Sequence, residues 1–309
     1  MPAGTFATID VGTNTTLLLV ARVDDAGTVT VLENAAEITR LGRGIGQTGS
    51  GAGALGAEGI ARTLDVLRGY AALARKHGAR VAAIGTEALR RAPNGGDFLG
   101  PAAEILGAPV EVIDGEREAA LTYRATVESF PDVRGGSLVV VDIGGGSTEI
   151  VVSGRGGVWS RSLPLGSVRL TEKHVHHDPA AREEIAAVTR EVDEALAVVP
   201  WPSRATLVGV AGTVTTLAAM ALQLATYDAD RVHGHELGLG ELTLEIARLL
   251  ASTQAQRERF VGLDPRRADV ILAGAVILRR IADAAGVRAV RVSDRGIRWG
   301  LLYELRARG

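Results

Sequence analysis

Two aspartates, Asp10 and Asp142, each close an apolar run, and each is followed by glycine and then by small hydroxyl or amide residues. The stretch Ile9–Thr16 reads IDVGTNTT and Val141–Thr148 reads VDIGGGST, and the two align without a gap at an offset of 132 residues. Glycine lets a backbone turn tightly and approach an anion, and the N–H groups of such a turn can donate hydrogen bonds to phosphate oxygens. The expected phosphate-holding positions are Gly12, Thr13, Asn14 and Thr15 in the first copy, and Gly144, Gly145, Gly146, Ser147 and Thr148 in the second. One D-x-G-x-x-[TS] turn is an ordinary hairpin bend; its duplication argues for a site. A carboxylate beside such a turn repels an anionic ligand unless a divalent cation lies between them. Mg²⁺, or Mn²⁺ in its place, is therefore the expected cofactor, with Asp142 and Glu149 as its ligands and Asp10 ranked behind them.

Elements must hold these residues in place. Apolar strands with turns between them are expected at Thr5–Val11 and Thr16–Val23, and again at Leu138–Ile143 and Thr148–Ser153, so each copy opens with a hairpin. Strands and helices alternate after both, which predicts two duplicated α/β domains facing each other across a cleft. The boundary is expected near 127–136, giving domains 1–127 and 128–309, with a terminal helix at about 297–309 packing back on the first. A third glycine junction, Gly209–Thr213, lies between an expected strand and a helix, whose N-terminus offers free N–H groups and a positive dipole to an anion at Gly212 and Thr213. Ser293–Gly296 repeats that junction near the C-terminus.

Composition narrows the partners. Lys and Arg number 34 against 36 Asp and Glu, a net charge of −2, so no broad positive field exists to hold a nucleic acid or an anionic membrane. Cysteine is absent, which excludes disulfides, thiolate metal sites and cysteine nucleophiles. The uncharged run Ala205–Tyr227 is long enough to span a bilayer, but its threonines and glycines read as a strand, a turn and a buried helix. No leader is recognised at the N-terminus, and a cytoplasmic location is expected. Neither the histidines of the HVHHD run nor His233, His235 and Glu236 are read as a metal site, since magnesium prefers oxygen ligands, and the HVHHD run is read as a solvated loop and cap.

At this point the chain resembles the exopolyphosphatase and guanosine pentaphosphate phosphohydrolase family, within the actin, sugar kinase and Hsp70 superfamily. The resemblance rests on IDVGTNT, GTEALRRAPN, DGEREAALTY, VDIGGGSTE, PLGSVRLTE, GVAGTVTTLA and VSDRGIRWGLLYE, in that order along nearly the whole chain. It implies two actin-like (ribonuclease H-like) domains and a Mg²⁺-assisted hydrolase that removes the terminal phosphate from inorganic polyphosphate or pppGpp. In the family the segment aligned with Gly115–Ala119 reads G-x-E-E-A, and its second Glu, here Glu118, is the base for water. Arg117 stands where the other Glu is usual. The resemblance also implies phosphate contacts from Arg90, more distal contacts from Arg40 and Arg43 ahead of the glycine-rich run 44–59, and a homodimer. Longer members carry a C-terminal helical extension, so a shorter run of polyphosphate is expected here. The alternative from another class is an alarmone- or nucleotide-binding regulator without turnover.

Overall fold

The structure is a computed structural model describing residues 4–45 and 53–308; residues 46–52 of the glycine-rich run after Arg43 lie outside the described residues. The chain runs through β1 (Gly4–Val11), β2 (Thr15–Val23), β3 (Val29–Ile38), α1 (Ala57–Lys76), β4 (Arg80–Gly85), α2 (Glu87–Arg91), α3 (Gly96–Leu106), β5 (Val110–Val112) and α4 (Gly115–Ser129). It continues through β6 (Leu138–Ile143), β7 (Thr148–Gly154), β8 (Gly157–Leu163), α5 (Ser167–His174), α6 (Arg182–Leu196), β9 (Thr206–Val210), α7 (Ala211–Ala221) and α8 (Ala229–Val232). The last elements are β10 (Glu236–Gly238), α9 (Leu239–Leu250), α10 (Gln254–Arg257), α11 (Ile271–Ala284), β11 (Ala289–Val292) and α12 (Ile297–Arg308). Two compact α/β units result, one of residues 1–125 with 297–309 and the other of 126–296.

In the first unit the strand order is β3-β2-β1-β4-β5, with β1 antiparallel to β2 and parallel to β4. Alternation along β1 assigns its faces. Ala7, Ile9 and Val11 pack with Leu67, Tyr70 and Ala71 of α1 and with Phe98 and Ala102 of α3. Phe6 points the other way, onto Trp299, Leu302 and Tyr303 of α12, and the Thr8 hydroxyl beside it donates to the Arg298 carbonyl at 3.0 Å. Asp10 shares this second face, near the strand's C-terminal end.

The second unit has the order β10-β11-β9-β6-β7-β8. Val139, Val141 and Ile143 of β6 and Ile150 and Val152 of β7 enter one core with Val214 and Leu217 of α7 and the apolar run of α11. Within each unit a three-stranded antiparallel meander, β1-β2-β3 or β6-β7-β8, is joined to a parallel strand, β4 or β9. The hairpins share one register: Val11 pairs with Thr16 and Ile143 with Thr148, so the duplication legible in the sequence is also structural. The uncharged run divides into β9 and α7, and among the described residues no helix is long and apolar enough to cross a membrane.

Candidate active site

Both turns are built alike. The Gly12 N–H donates to the Thr15 carbonyl and the Gly144 N–H to the Ser147 carbonyl, each at 3.0 Å. A brace then pins each turn. After β3, the N–H groups of Thr39 and Arg40 bond the Asn14 carbonyl and that of Gly42 bonds the Thr13 carbonyl. After β8, the N–H groups of Ser167, Val168 and Arg169 bond the carbonyls of Gly144 and Gly145, and Arg169 Nε bonds that of Gly146 at 2.8 Å. In a trans peptide the C=O of one residue and the N–H of the next point opposite ways. Pinning these carbonyls therefore aims the N–H groups of Asn14, Thr15, Gly145, Gly146 and Ser147 away from the braces. Asn14 is 7% exposed, and its Nδ2 is buried with no hydrogen-bond partner among the described residues. A buried donor left unmade is costly to the fold, and an anion at the turn would satisfy it.

The side-chain hydroxyls have other work. Thr13 Oγ1 donates to Glu87 Oε2 at 3.2 Å, and Glu87 Oε1 in turn receives Arg91 at 3.0 Å. Thr148 Oγ1 donates to the Leu165 carbonyl at 2.6 Å. At these two positions the hydroxyl is committed within the protein, and the anion is left to the N–H groups of the neighbouring turn residues. Arg40 sits in the brace with a left-handed φ of 52°, and Arg43 follows it in an exposed turn.

Asp142 and Glu149 are register partners across β6 and β7, so their side chains share the face opposite the Val141–Ile150 core pair, with Cβ atoms about 5 Å apart. Both are buried, at 9% and 2% exposure, and Ser162 donates to Glu149 Oε1 at 2.6 Å. Two neighbouring hard-oxygen donors suit magnesium, which keeps waters and takes further oxygens from substrate. No group of three or more His, Cys, Asp or Glu among the described residues forms a metal cage, so the fit is to a two-carboxylate site and not to a closed one. Asp10 occupies the corresponding place in the first unit, opposite Leu17.

Glu118 lies in the first turn of α4 and is 7% exposed. A carboxylate there is ordinarily a helix cap or dipole partner. Here Asp114 does the capping: its Oδ1 accepts the Arg117 N–H at 2.8 Å. Glu118 instead faces Arg90, whose Nη1 reaches Glu118 Oε2 at 3.3 Å and the Ile113 carbonyl at 2.6 Å. Two of the residues singled out from sequence, Arg90 and Glu118, thus meet within one unit.

At the third junction, α7 opens on Ala211 with φ at 69°, a left-handed conformation that costs a non-glycine residue energy and is concentrated at functional sites. The Arg267 guanidinium lies directly over Gly212, so that an added Cβ would stand 2.4 Å from Nη2. Desolvation pulls the pKa of Arg267 down, against the charge of Asp264. Gly274 of α11 packs against Thr213 and Ser167, tying this junction to the second brace.

The Ppx/GppA phosphatase family matches residues 19–308. The chain belongs to that family. Exopolyphosphatase 2 of Mycobacterium tuberculosis is 38% identical to it, over 97% of this chain and 98% of the relative. A guanosine-5'-triphosphate,3'-diphosphate pyrophosphatase of Vibrio cholerae is 29% identical over 97% of this chain and 59% of the relative. The structure of the Aquifex aeolicus PPX-GPPA enzyme superposes with a TM-score of 0.81 at 35% identity, covering 98% of this chain and all of that one. In this Ppx/GppA member the motif reading missed Glu87, Arg267 and the capping role of Asp114. It also passed over the duplication of the braces, although Leu41–Gly42 and Leu165–Gly166 repeat the same dipeptide.

Proposed function

We propose that the chain is a phosphoanhydride hydrolase that releases the terminal orthophosphate of inorganic polyphosphate or pppGpp by attack of water. Terminal phosphoryl transfer needs an oriented water and donors that neutralise charge on the transferring and leaving oxygens. The turn N–H groups and the Asn14 amide supply donors, and Arg90 adds a positive group beside Glu118. Glu118 accepts the proton of the attacking water. Asp142 and Glu149 would hold Mg²⁺, which supplies charge neutralisation at the phosphate oxygens when bound.

The observation that carries this reading over a binding role is the division of labour at the head of α4. Asp114 caps the helix, and Glu118 is buried beside Arg90. Purified protein with Mg²⁺ is expected to release orthophosphate from one or both substrates. Tight pppGpp binding with no product over hours would replace the hydrolase by a regulator. The chemistry at the cleaved bond is common to both substrates, so a parallel assay on the two sets the preference.

A further inference from the structure

Arg117, adjacent to Glu118, stands where the resemblance set out above implies a glutamate. An arginine free to face substrate would add positive charge to the site. The structure places that charge elsewhere: Arg117 Nη1 and Nη2 bond Glu304 Oε2 and Oε1 of α12 in a two-pronged pair. Glu304 is 8% exposed, and its carboxylate raises the Arg117 pKa above the usual guanidinium value, ahead of an opposing desolvation effect. We propose that Arg117 and Glu304 form a positioning pair that fixes the rotation of the first turn of α4 and so aims the Glu118 carboxylate. The proposal rests on the reading of Glu118 as the base.

Three observations support it. First, successive residues on an α-helix are turned by about 100°, so locking Arg117 toward α12 swings Glu118 to a different side of the helix, where Arg90 meets it at 3.3 Å. Second, α12 is a firm reference. Ile297 and Leu301 pack with Ile113 and Leu121, while Trp299, Leu302 and Tyr303 pack with Phe6, Leu19 and Ala125. Gly300 lies so close to α4 that an added Cβ would stand 2.0 Å from the Leu121 carbonyl oxygen. Third, the pair is specific in charge. A glutamate at position 117 would put two carboxylates against each other, so in this chain Arg117 and Glu304 depend on one another. A bidentate fork also fixes direction in a way that a single point contact does not.

The test is steady-state phosphate release with polyphosphate, scaled to folded protein by circular dichroism, for Glu304→Gln, Arg117→Gln, the swap Arg117→Glu/Glu304→Arg, and Glu118→Gln. A carboxylate misaimed by about an ångström loses roughly 10- to 100-fold in rate. We therefore expect each pair variant to lose that much kcat while KM stays within about threefold, and the swap to recover most of the loss. Breaking the exposed Asp65–Arg68 pair on α1 by Asp65→Asn is expected to change neither constant. A mere staple of the terminal helix would lower Tm and leave kcat of the folded fraction within about twofold, which overturns the proposal, as does a rise in KM at constant kcat. If Glu118→Gln keeps full activity, or the wild type releases nothing, the reading of Glu118 fails and takes the pair's role with it. If Glu118→Gln is inactive while the pair variants are normal, only the positioning role fails.

Discussion

Asn14 and Asp142 carry the most direct predictions, because each has one chemical job in the account. Hydrogen bonds to a charged group are worth about 1.5–3 kcal/mol, so Asn14→Ala is expected to raise KM for polyphosphate about 10-fold or more. Its buried Nδ2 has no protein partner among the described residues, so Tm is expected to hold. Unchanged KM with a lowered Tm would mean that the amide serves the fold. Asp142→Asn removes half of the two-carboxylate site and is expected to raise the Mg²⁺ concentration giving half-maximal phosphate release. An unaltered Mg²⁺ titration would remove Asp142 from that role. At this scale the sequence shows which residues gather and hides how they are oriented. Thr13 and Thr148 look like donors to an anion, yet one hydroxyl goes to Glu87 and the other to the Leu165 carbonyl. Their partners lie 74 and 17 residues away, and no local spacing encodes such contacts.

The brace is the element on which each turn depends. Gly166 approaches the second turn so closely that an added Cβ would stand 2.2 Å from the Gly145 carbonyl oxygen. Gly166→Ala must push the turn away or bend the brace, a strain of about 1–3 kcal/mol. It is expected to lower Tm and to reduce kcat/KM at least about 10-fold. Retained activity would show that the brace does not set the turn. Hairpins β1-β2 and β6-β7 were legible because buried alternation and the repeated turn both announce them. The partner strands β3 and β8 were not, because they are edge strands with one side wet and sequences, VTVLENAAEI and GVWSRSL, that mix charge with apolar residues. Helix α11 escaped for the opposite reason. Its first eight residues, ILAGAVIL, are all buried, and a run apolar on every side shows no helical period.

For the whole molecule, a stability slope is expected in mild acid. His233 stacks on Phe130 with ring centroids 4.7 Å apart, and burial, aided by the charge of Arg295, lowers its pKa from 6.5 to about 4. Below pH 6.5 the unfolded chain takes up a proton that the folded chain refuses, so the stability present above that pH is lost as pH falls toward 4. His233→Phe is expected to flatten the pH dependence of unfolding free energy in that window. An identical slope in the variant would assign the effect elsewhere. The broad outline of two α/β units with duplicated hairpins was readable in advance because it rests on repeated local patterns. The first unit is completed by α12 from the other end of the chain, and the Arg117–Glu304 pair depends on that return; residues 187 positions apart leave no periodic trace.

The most direct measurement is orthophosphate release from polyphosphate and pppGpp, with Mg²⁺, by the wild-type chain and by Glu118→Gln. A general base contributes about 10²- to 10⁴-fold, so release by the wild type and a loss of that size in kcat, with the variant still folded and still binding substrate, are predicted. Equal rates for the two proteins would contradict the account.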